Sequence, residues 1–392
     1  MSGREKETMY LGRDPIPLNL DMVGAEDSVV FDREGRRYVD FVMGWCVGNL
    51  GWSQPDIQAA IKQSRSPAYV HPSYLYEPWV ELAESLAVIA PGKLKKSYRA
   101  TGGTEAVEIA MQVAMTATKR HKFVSIEGSY HGNSIAAMSI GASEYRAQYE
   151  KLLPGCYKVK APLDSRAVKQ VERLLKREDI AAFIMEPVIC NLDVTIPDPQ
   201  FMTGVWHLCR EHGTLLVMDE VATGFGRTGK LFGCEHFELE PDVMCLAKAI
   251  TGGYAPMGAT MVTDAVAQAL GDRFSFYSTY GWHPLSVDAA LANVRYFIKH
   301  KEDLLRHVIE VSAYFEARLS QMRFKFPTTI RMRGLAIGIE VDEPGYAAKI
   351  QDKALERGLL LSAENDVLKL FPALTVTQET AKEGLDILET CV

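Results

Sequence analysis

Cys245-Leu-Ala-Lys-Ala-Ile-Thr-Gly-Gly-Tyr-Ala-Pro-Met-Gly-Ala259 follows an apolar, strand-like run that begins at Asp242, and it puts Lys248 where that run gives way to small residues and glycines. A neutral amine in an apolar niche is a nucleophile and forms a Schiff base with a carbonyl. Upstream, Thr214-Leu-Leu-Val-Met-Asp-Glu-Val221 is a second apolar strand that ends in acid. Short apolar runs of this kind, alternating with helical periodicity, belong to a buried and largely parallel sheet. A lysine and an aspartate at strand ends occur in many α/β enzymes, so the pair gains meaning only from its neighbours.

Working outward, Phe123 to Ile126 and Ala181 to Val188 read as further strands. Thr104 to Arg120, Ser165 to Arg177 and Pro199 to His212 read as the helices between them. Val29-Val-Phe-Asp-Arg-Glu-Gly-Arg-Arg-Tyr-Val-Asp-Phe41 predicts a hairpin turning over Asp32 to Gly35. Glu77 to Ala90 has helical spacing and stops before Pro91-Gly92. Pro284 to Gln321 predicts long helical material interrupted near His300-Lys301. Strands around Gly334 to Val341 and a helix from Tyr346 to Arg357 follow.

The chain has 392 residues, too many for a single compact core, so two domains are expected. A net charge of −7 argues against a nucleic-acid surface and, with 47% hydrophobic residues, favours a soluble cytosolic protein. No apolar run has the length to cross a bilayer, and Met1-Ser-Gly-Arg-Glu-Lys-Glu-Thr has no signal-peptide core. The 7 cysteines include no C-x-x-C pair, which suits reduced thiols and gives no zinc site. The histidines are dispersed without H-x-x-x-H spacing, so no metal is expected.

Three further motifs bear on chemistry. Thr101-Gly-Gly-Thr-Glu-Ala-Val-Glu108 opens a helix with two glycines, an arrangement that suits an anion and equally suits a plain helix cap. In Ile126-Glu-Gly-Ser-Tyr-His-Gly132, Tyr130 stands among small residues after a strand, placed either to stack on a heteroaromatic ring or to fill core. Gly224-Phe-Gly-Arg-Thr-Gly229 spells G-x-G-x-x-G, but Lys230-Leu-Phe-Gly-Cys does not open an amphipathic helix, so a dinucleotide site is not implied. A Schiff-base lysine with an acid for a pyridinium nitrogen is what pyridoxal phosphate (PLP) requires.

Together these stretches resemble the class III aminotransferases, fold type I PLP enzymes that include acetylornithine, ornithine, 4-aminobutyrate and other ω-aminotransferases. The resemblance runs from Tyr38-Val-Asp-Phe41 to Leu370-Phe-Pro-Ala-Leu374 and is most specific at Asp219-Glu-Val221, Gly224 to Gly229 and Leu246 to Gly253. Ser278-Thr-Tyr-Gly-Trp-His-Pro-Leu285 is similar to the family's S-T-F-G-G-N-P-L segment. The resemblance implies an α/β fold, a mainly parallel sheet flanked by helices, with a smaller α+β domain. Its implied division is an N-terminal segment over 1–45 packing with the small domain, a PLP-binding domain over 46–283 and a small domain over 284–392. By matching position it implies that Lys248 holds PLP and moves protons, and that Asp219 pairs with the ring nitrogen. Val221 and Tyr130 would pack on the ring faces, Gly102, Gly103 and Thr104 would bind phosphate, and Glu186 would lie near the cofactor. Thr279 would reach the phosphate of the neighbouring subunit, implying a homodimer with shared active sites.

The chain departs from the family where substrate is read. Lys369 stands where an arginine commonly clamps a carboxylate, and Asn191 stands where ornithine-type members carry a glutamate. Trp45 and Cys46 lie in a stretch that lines the substrate channel in relatives, and Trp282 replaces a common glycine; packing at the dimer interface is its other reading. The expected reaction moves an amino group from an ω-amine or non-α amino acid to a 2-oxo acid such as pyruvate or 2-oxoglutarate. The alternatives are a glutamate-1-semialdehyde-type aminomutase, an acetylornithine- or 4-aminobutyrate-like aminotransferase, and a non-catalytic protein of the same fold.

Overall fold

The computed structural model describes residues 7, 9, 12, 20–147, 149 and 152–392. Most of residues 1–19 of the expected N-terminal segment therefore lie outside the described residues.

Among the described residues, seven strands form the central sheet: β4 (Leu94–Ala100), β5 (Lys122–Ile126), β6 (Cys156–Val159), β7 (Ile180–Met185), β8 (Leu215–Asp219), β9 (Val243–Leu246) and β10 (Gly258–Thr263). Their order is β4-β10-β9-β8-β7-β5-β6, with β10 antiparallel to both its neighbours and the other contacts parallel. Every residue of β7 and β9 is buried, which explains why these strands read as unbroken apolar runs rather than alternating ones. The helix Gly103–Thr118 covers one face, burying Ala106, Ile109, Ala110 and Val113 at spacings of three and four. Helices Ser165–Leu175 and Pro199–Glu211 bury Val171, Leu175, Phe201 and Val205 in the larger core. Each such aliphatic or aromatic side chain contributes roughly 1.5–3 kcal/mol by leaving water.

Two smaller sheets flank this unit. β1 (Met22–Glu26), β2 (Val29–Asp32) and β3 (Arg37–Asp40) form a meander, and the expected hairpin pairs Val29 with Val39 and Val30 with Tyr38. Its free edge is taken by β13 (Leu359–Leu360), parallel to β3 and far along the chain from it. β11 (Thr328–Arg333), β12 (Ala336–Val341), β14 (Ser362–Glu364) and β15 (Val367–Leu370) make an antiparallel sheet in the order β11-β12-β15-β14.

One sequence expectation fails here. Pro284–Gln321 is a single continuous helix of 38 residues, not one interrupted near His300-Lys301. Neither residue is a helix breaker, and the buried positions Val294, Phe297, Leu304, Val308, Val311 and Phe315 carry the apolar stripe across the junction.

Candidate active site

The C-terminal ends of β8 and β9 are neighbours in the sheet, with Asp219 directly paired to Cys245. That register brings Asp219 and Lys248 to one cavity of about 710 Å³. Asp219 is 3% exposed; its Oδ2 lies 2.7 Å from His131 Nδ1 and its Oδ1 accepts from the Val221 N–H at 3.1 Å. Lys248 opens a short 3-10 turn with φ of 41°, a left-handed conformation that is costly for a residue with a Cβ. Such strain, held by the surrounding packing, is a feature of functional positions.

The helix Gly103–Thr118 points its N-terminus into the same cavity. Its cap, Gly102, makes no side-chain capping bond, and the Thr101 hydroxyl donates to Glu105 at 2.7 Å. A Cβ on Gly102 would meet nothing within 4 Å, so the space before the first turn is open. Two other glycines permit the construction. Gly132, with φ of 128°, lets the chain pass where a Cβ would lie 2.5 Å from the Thr104 hydroxyl, and a Cβ on Gly258 would lie 2.4 Å from the Gly102 carbonyl oxygen. The first turn thus presents uncapped N–H groups to the cavity, with a dipole favouring an anion.

Glu186 follows β7 and is also buried. Its Oε2 accepts from the Cys190 N–H at 3.1 Å, while its Oε1 finds no partner among the described residues. Burial, and then the negative charge of Asp219, push its carboxyl up to about 8. Near pH 7 it therefore carries a proton and is a donor rather than an anion.

Of the residues singled out from the sequence, Trp45, Cys46, Gly102, Gly103, Thr104, Tyr130, Glu186, Asn191, Asp219, Val221, Lys248 and Lys369 all line this cavity. Trp45 and Cys46 enter it through a turn with φ of 55° and 67°; Trp45 is half exposed and Cys46 buried. Thr279 does not line it and lies on an exposed stretch beside Tyr277 and Tyr280. Trp282 is not in the lining either. It is 2% exposed, its Nε1 donates to the Gly258 carbonyl at 2.8 Å, and its own carbonyl accepts from Trp79 Nε1 at 2.7 Å. Within this chain it braces β10 against the glycine contact just described.

The lining also holds His131, Glu364 and Phe371, which the sequence did not single out. His131 sits beside Tyr130 in a motif already noted, but its bond to Asp219 spans 88 positions and has no local signature. Its Nε2 has no partner among the described residues. At the far end Lys369, on β15, donates to the Asn191 carbonyl at 3.0 Å and forms an ion pair with Glu364 on β14.

A strand-end lysine, a buried strand-end acid and an open helix N-terminus on a seven-stranded α/β sheet define a cofactor-dependent group-transfer enzyme. The sequence profile described as Aminotransferase class-III matches residues 10–392, and the chain belongs to the class III aminotransferases. It is 37% identical to the acetylornithine aminotransferase of Methanosarcina mazei over 393 residues, covering 98% of this chain and 95% of that protein. With the putrescine aminotransferase of Pectobacterium atrosepticum it shares 35% identity over 385 residues, covering 92% of this chain and 81% of the relative. Taurine:2-oxoglutarate aminotransferase from Bifidobacterium kashiwanohense, solved with PLP and glutamate, superposes with a TM-score of 0.92 at 27% identity, covering 100% of this chain and 97% of that one. The fold is fold type I and the cofactor is pyridoxal phosphate.

The residues present fit that group. A phosphate suits the uncapped helix turn at Gly102–Thr104, and the buried Asp219 carboxylate suits a ring-nitrogen proton. The unpartnered Glu186 Oε1 and His131 Nε2 are buried polar atoms that face the cavity or lie beside it.

Proposed function

We propose that this enzyme transfers an amino group from an ω-amine or a non-α amino acid to a 2-oxo acid such as pyruvate or 2-oxoglutarate. The observation carrying the donor class is the state of Lys369. The cation best placed to clamp an α-carboxylate is a point charge without arginine's planar fork, and it is already neutralised by Glu364.

When bound, the cofactor supplies an aldehyde that links to amines and a ring that accepts the electron pair left at the substrate carbon. Lys248 Nζ would hold the cofactor, and as a free amine it would be the group placed to move a proton at the amine-bearing carbon. The Asp219 carboxylate, oriented by His131 at 2.7 Å and the Val221 N–H, would keep the ring nitrogen protonated. Gly102, Gly103 and Thr104 would bind the phosphate, while Tyr130 and Val221 would pack on the ring. Glu186, protonated at neutral pH, would be a hydrogen-bond donor beside the cofactor. Trp45, Cys46 and Asn191 shape the donor's side of the cavity.

Active sites are shared in a homodimer, with Thr279 of each subunit serving the other's phosphate. Exposed apolar side chains support this reading: Tyr74, Leu75, Tyr277 and Tyr280 are 57–84% exposed. The units are an N-terminal segment to residue 45, a PLP-binding domain over 46–283 and a small domain over 284–392. β13 completing the N-terminal sheet supports the first of these packing with the last. No helix among the described residues is long and apolar enough to cross a membrane, and with a net charge of −7 we assign the enzyme to the cytoplasm.

The test is a panel of amines offered with pyruvate and with 2-oxoglutarate. Terminal amines and β- or ω-amino acids are expected to react in preference to α-amino acids; strict preference for ornithine or acetylornithine would refute the donor class. Turnover of one compound with no second substrate would point instead to an aminomutase.

A further inference from the structure

Trp45 and Cys46 reach the cavity from a rare backbone conformation. Met43, Gly44, Trp45 and Cys46 have φ of 45°, 60°, 55° and 67°, so four successive residues lie in the left-handed region. The Val47 N–H donates to the Met43 carbonyl at 2.9 Å and closes one left-handed helical turn. Met43, Trp45 and Cys46 each carry a Cβ that opposes this conformation, so the turn persists only because its surroundings hold it.

Two side chains outside the cavity lining do so. Asp40, at the end of β3, is 3% exposed, and its Oδ1 accepts from the Val42 N–H at 2.8 Å and the Met43 N–H at 2.9 Å, where the turn begins. Its Oδ2 accepts from Trp52 Nε1 at 2.9 Å. The far edge of the Trp52 ring rests on three glycines: a Cβ at Gly44, Gly48 or Gly253 would lie 3.5, 3.1 or 3.2 Å from it. Gly44 and Gly48 belong to the turn and its exit, and Gly253 lines the cavity in the stretch that carries Lys248. The Trp52 backbone exchanges two hydrogen bonds with Asp27, at 2.8 and 2.7 Å, which fixes it to the chain between β1 and β2.

We infer that Trp52 is a positioning residue for the amine donor. Through Asp40 it holds the left-handed turn that aims Trp45 and Cys46, and through Gly253 it sets that turn against the Lys248 segment. Neither Trp52 nor Asp40 lines the cavity, so both act through the backbone of the turn. The inference rests on the proposed transfer, in which Trp45 and Cys46 shape the donor's side. Without the bond between Trp52 and Asp40, the turn gains access to ordinary backbone conformations in which Trp45 points elsewhere.

Trp52→Phe keeps a ring in place and removes the indole N–H. Asp40→Asn keeps an oxygen for the Val42 and Met43 N–H groups and turns a donor toward the indole. Both variants and their combination are compared in the PLP-loaded enzyme. KM for a bulky terminal amine is expected to rise roughly tenfold in each, with kcat and the visible absorbance of the lysine-linked cofactor little changed. The combined variant should be no worse than either alone, because both substitutions break one bond. A second readout is the rate at which iodoacetamide labels Cys46 in the resting enzyme, followed by peptide mass spectrometry. Cys46 is buried, so its labelling should also speed up by roughly tenfold as the turn loosens, while Cys209 and Cys245 in the core stay protected. An unaltered donor KM, unaltered Cys46 labelling, effects of the two substitutions that add, or labelling of Cys209 and Cys245 that rises with Cys46 would overturn the inference. If the unsubstituted enzyme accepts an amino group from no amine, the proposed reaction fails, and Cys46 labelling across the three variants then judges the positioning of the turn.

Discussion

At the Lys248 end of the cavity the walls come largely from one construction, the C-terminal edge of the seven-stranded sheet and the helix that crosses it. At the Lys369 end they are gathered from stretches far apart in sequence: Trp45 and Cys46, Cys190 and Asn191, Glu364, then Lys369 and Phe371. Strand register fixes the first end, since Asp219 and Cys245 are direct partners across β8 and β9. At the second end Glu364 and Lys369 share a sheet, on β14 and β15, and the other stretches do not belong to it. This end is tied through Arg227, a fully buried guanidinium that donates to the carbonyls of Leu335 at 3.0 Å and Pro372 at 2.6 Å and to Asn49 Oδ1 at 2.7 Å. The residues proposed to hold the cofactor are thus placed by the sheet, and those proposed to read the substrate by a clamp between chain segments.

The largest effect should come from the sheet end. Lys248→Ala is expected to lower turnover by about 10⁴-fold or more and to abolish the visible absorbance of the lysine-linked cofactor. Asp219→Asn should come next, with a loss of roughly 10³-fold, because the ring nitrogen then lacks a full negative charge in a water-poor site. Steady-state rates and absorbance spectra check both, and full turnover in either variant would break the comparison at its stronger end.

The sequence is legible at one end and opaque at the other for the same physical reason. Lys248, Asp219 and Gly102–Thr104 each close or open an element, so a local pattern of apolar run, acid or glycine marks them. His131 acts through a partner 88 positions away that only the fold brings to it, and Glu364 meets Lys369 across the β14–β15 hairpin, a pairing that no motif marks. The same limit applies to the fold. β7, β8 and β9 read clearly, whereas β4, Leu94-Lys-Lys-Ser-Tyr-Arg-Ala100, is an edge strand whose lysines face solvent, so its periodicity is that of a surface. The literal G-x-G-x-x-G from Gly224 to Gly229 is a core feature: its Arg227 is the clamp, and a Cβ on Gly226 would lie 2.7 Å from Leu374.

Breaking that clamp should affect stability before chemistry. Arg227→Met is expected to cost about 4 kcal/mol in urea unfolding, because two carbonyls and one amide oxygen lose their donor in the interior. In enzyme that remains folded, KM for the donor should rise more than the cofactor dissociates, since Phe371 and Lys369 adjoin Pro372 and the helix turn at Gly102 does not touch it. A cofactor affinity that falls as much as the donor's would erase the distinction between the two ends.

The smallest expected effect is a slope. Glu186 has its folded carboxyl pushed up to about 8 by burial and by Asp219, against an ordinary value of 4.5. Between those values the folded protein binds a proton that the unfolded chain releases, so its contribution to stability falls as pH rises from about 4.5 to about 8 and is level on either side. The slope is at most about 1.4 kcal/mol per pH unit. Glu186→Gln cannot ionise, so the cofactor-free variant should lack that part of the decline and gain on the unsubstituted protein as pH rises across the window. Urea unfolding at pH 5 and pH 8 measures it. An advantage for the variant that stays level between pH 5 and pH 8 would mean that Glu186 is ionised in the fold, and the sheet end would then hold two neighbouring anions rather than one anion and one proton donor.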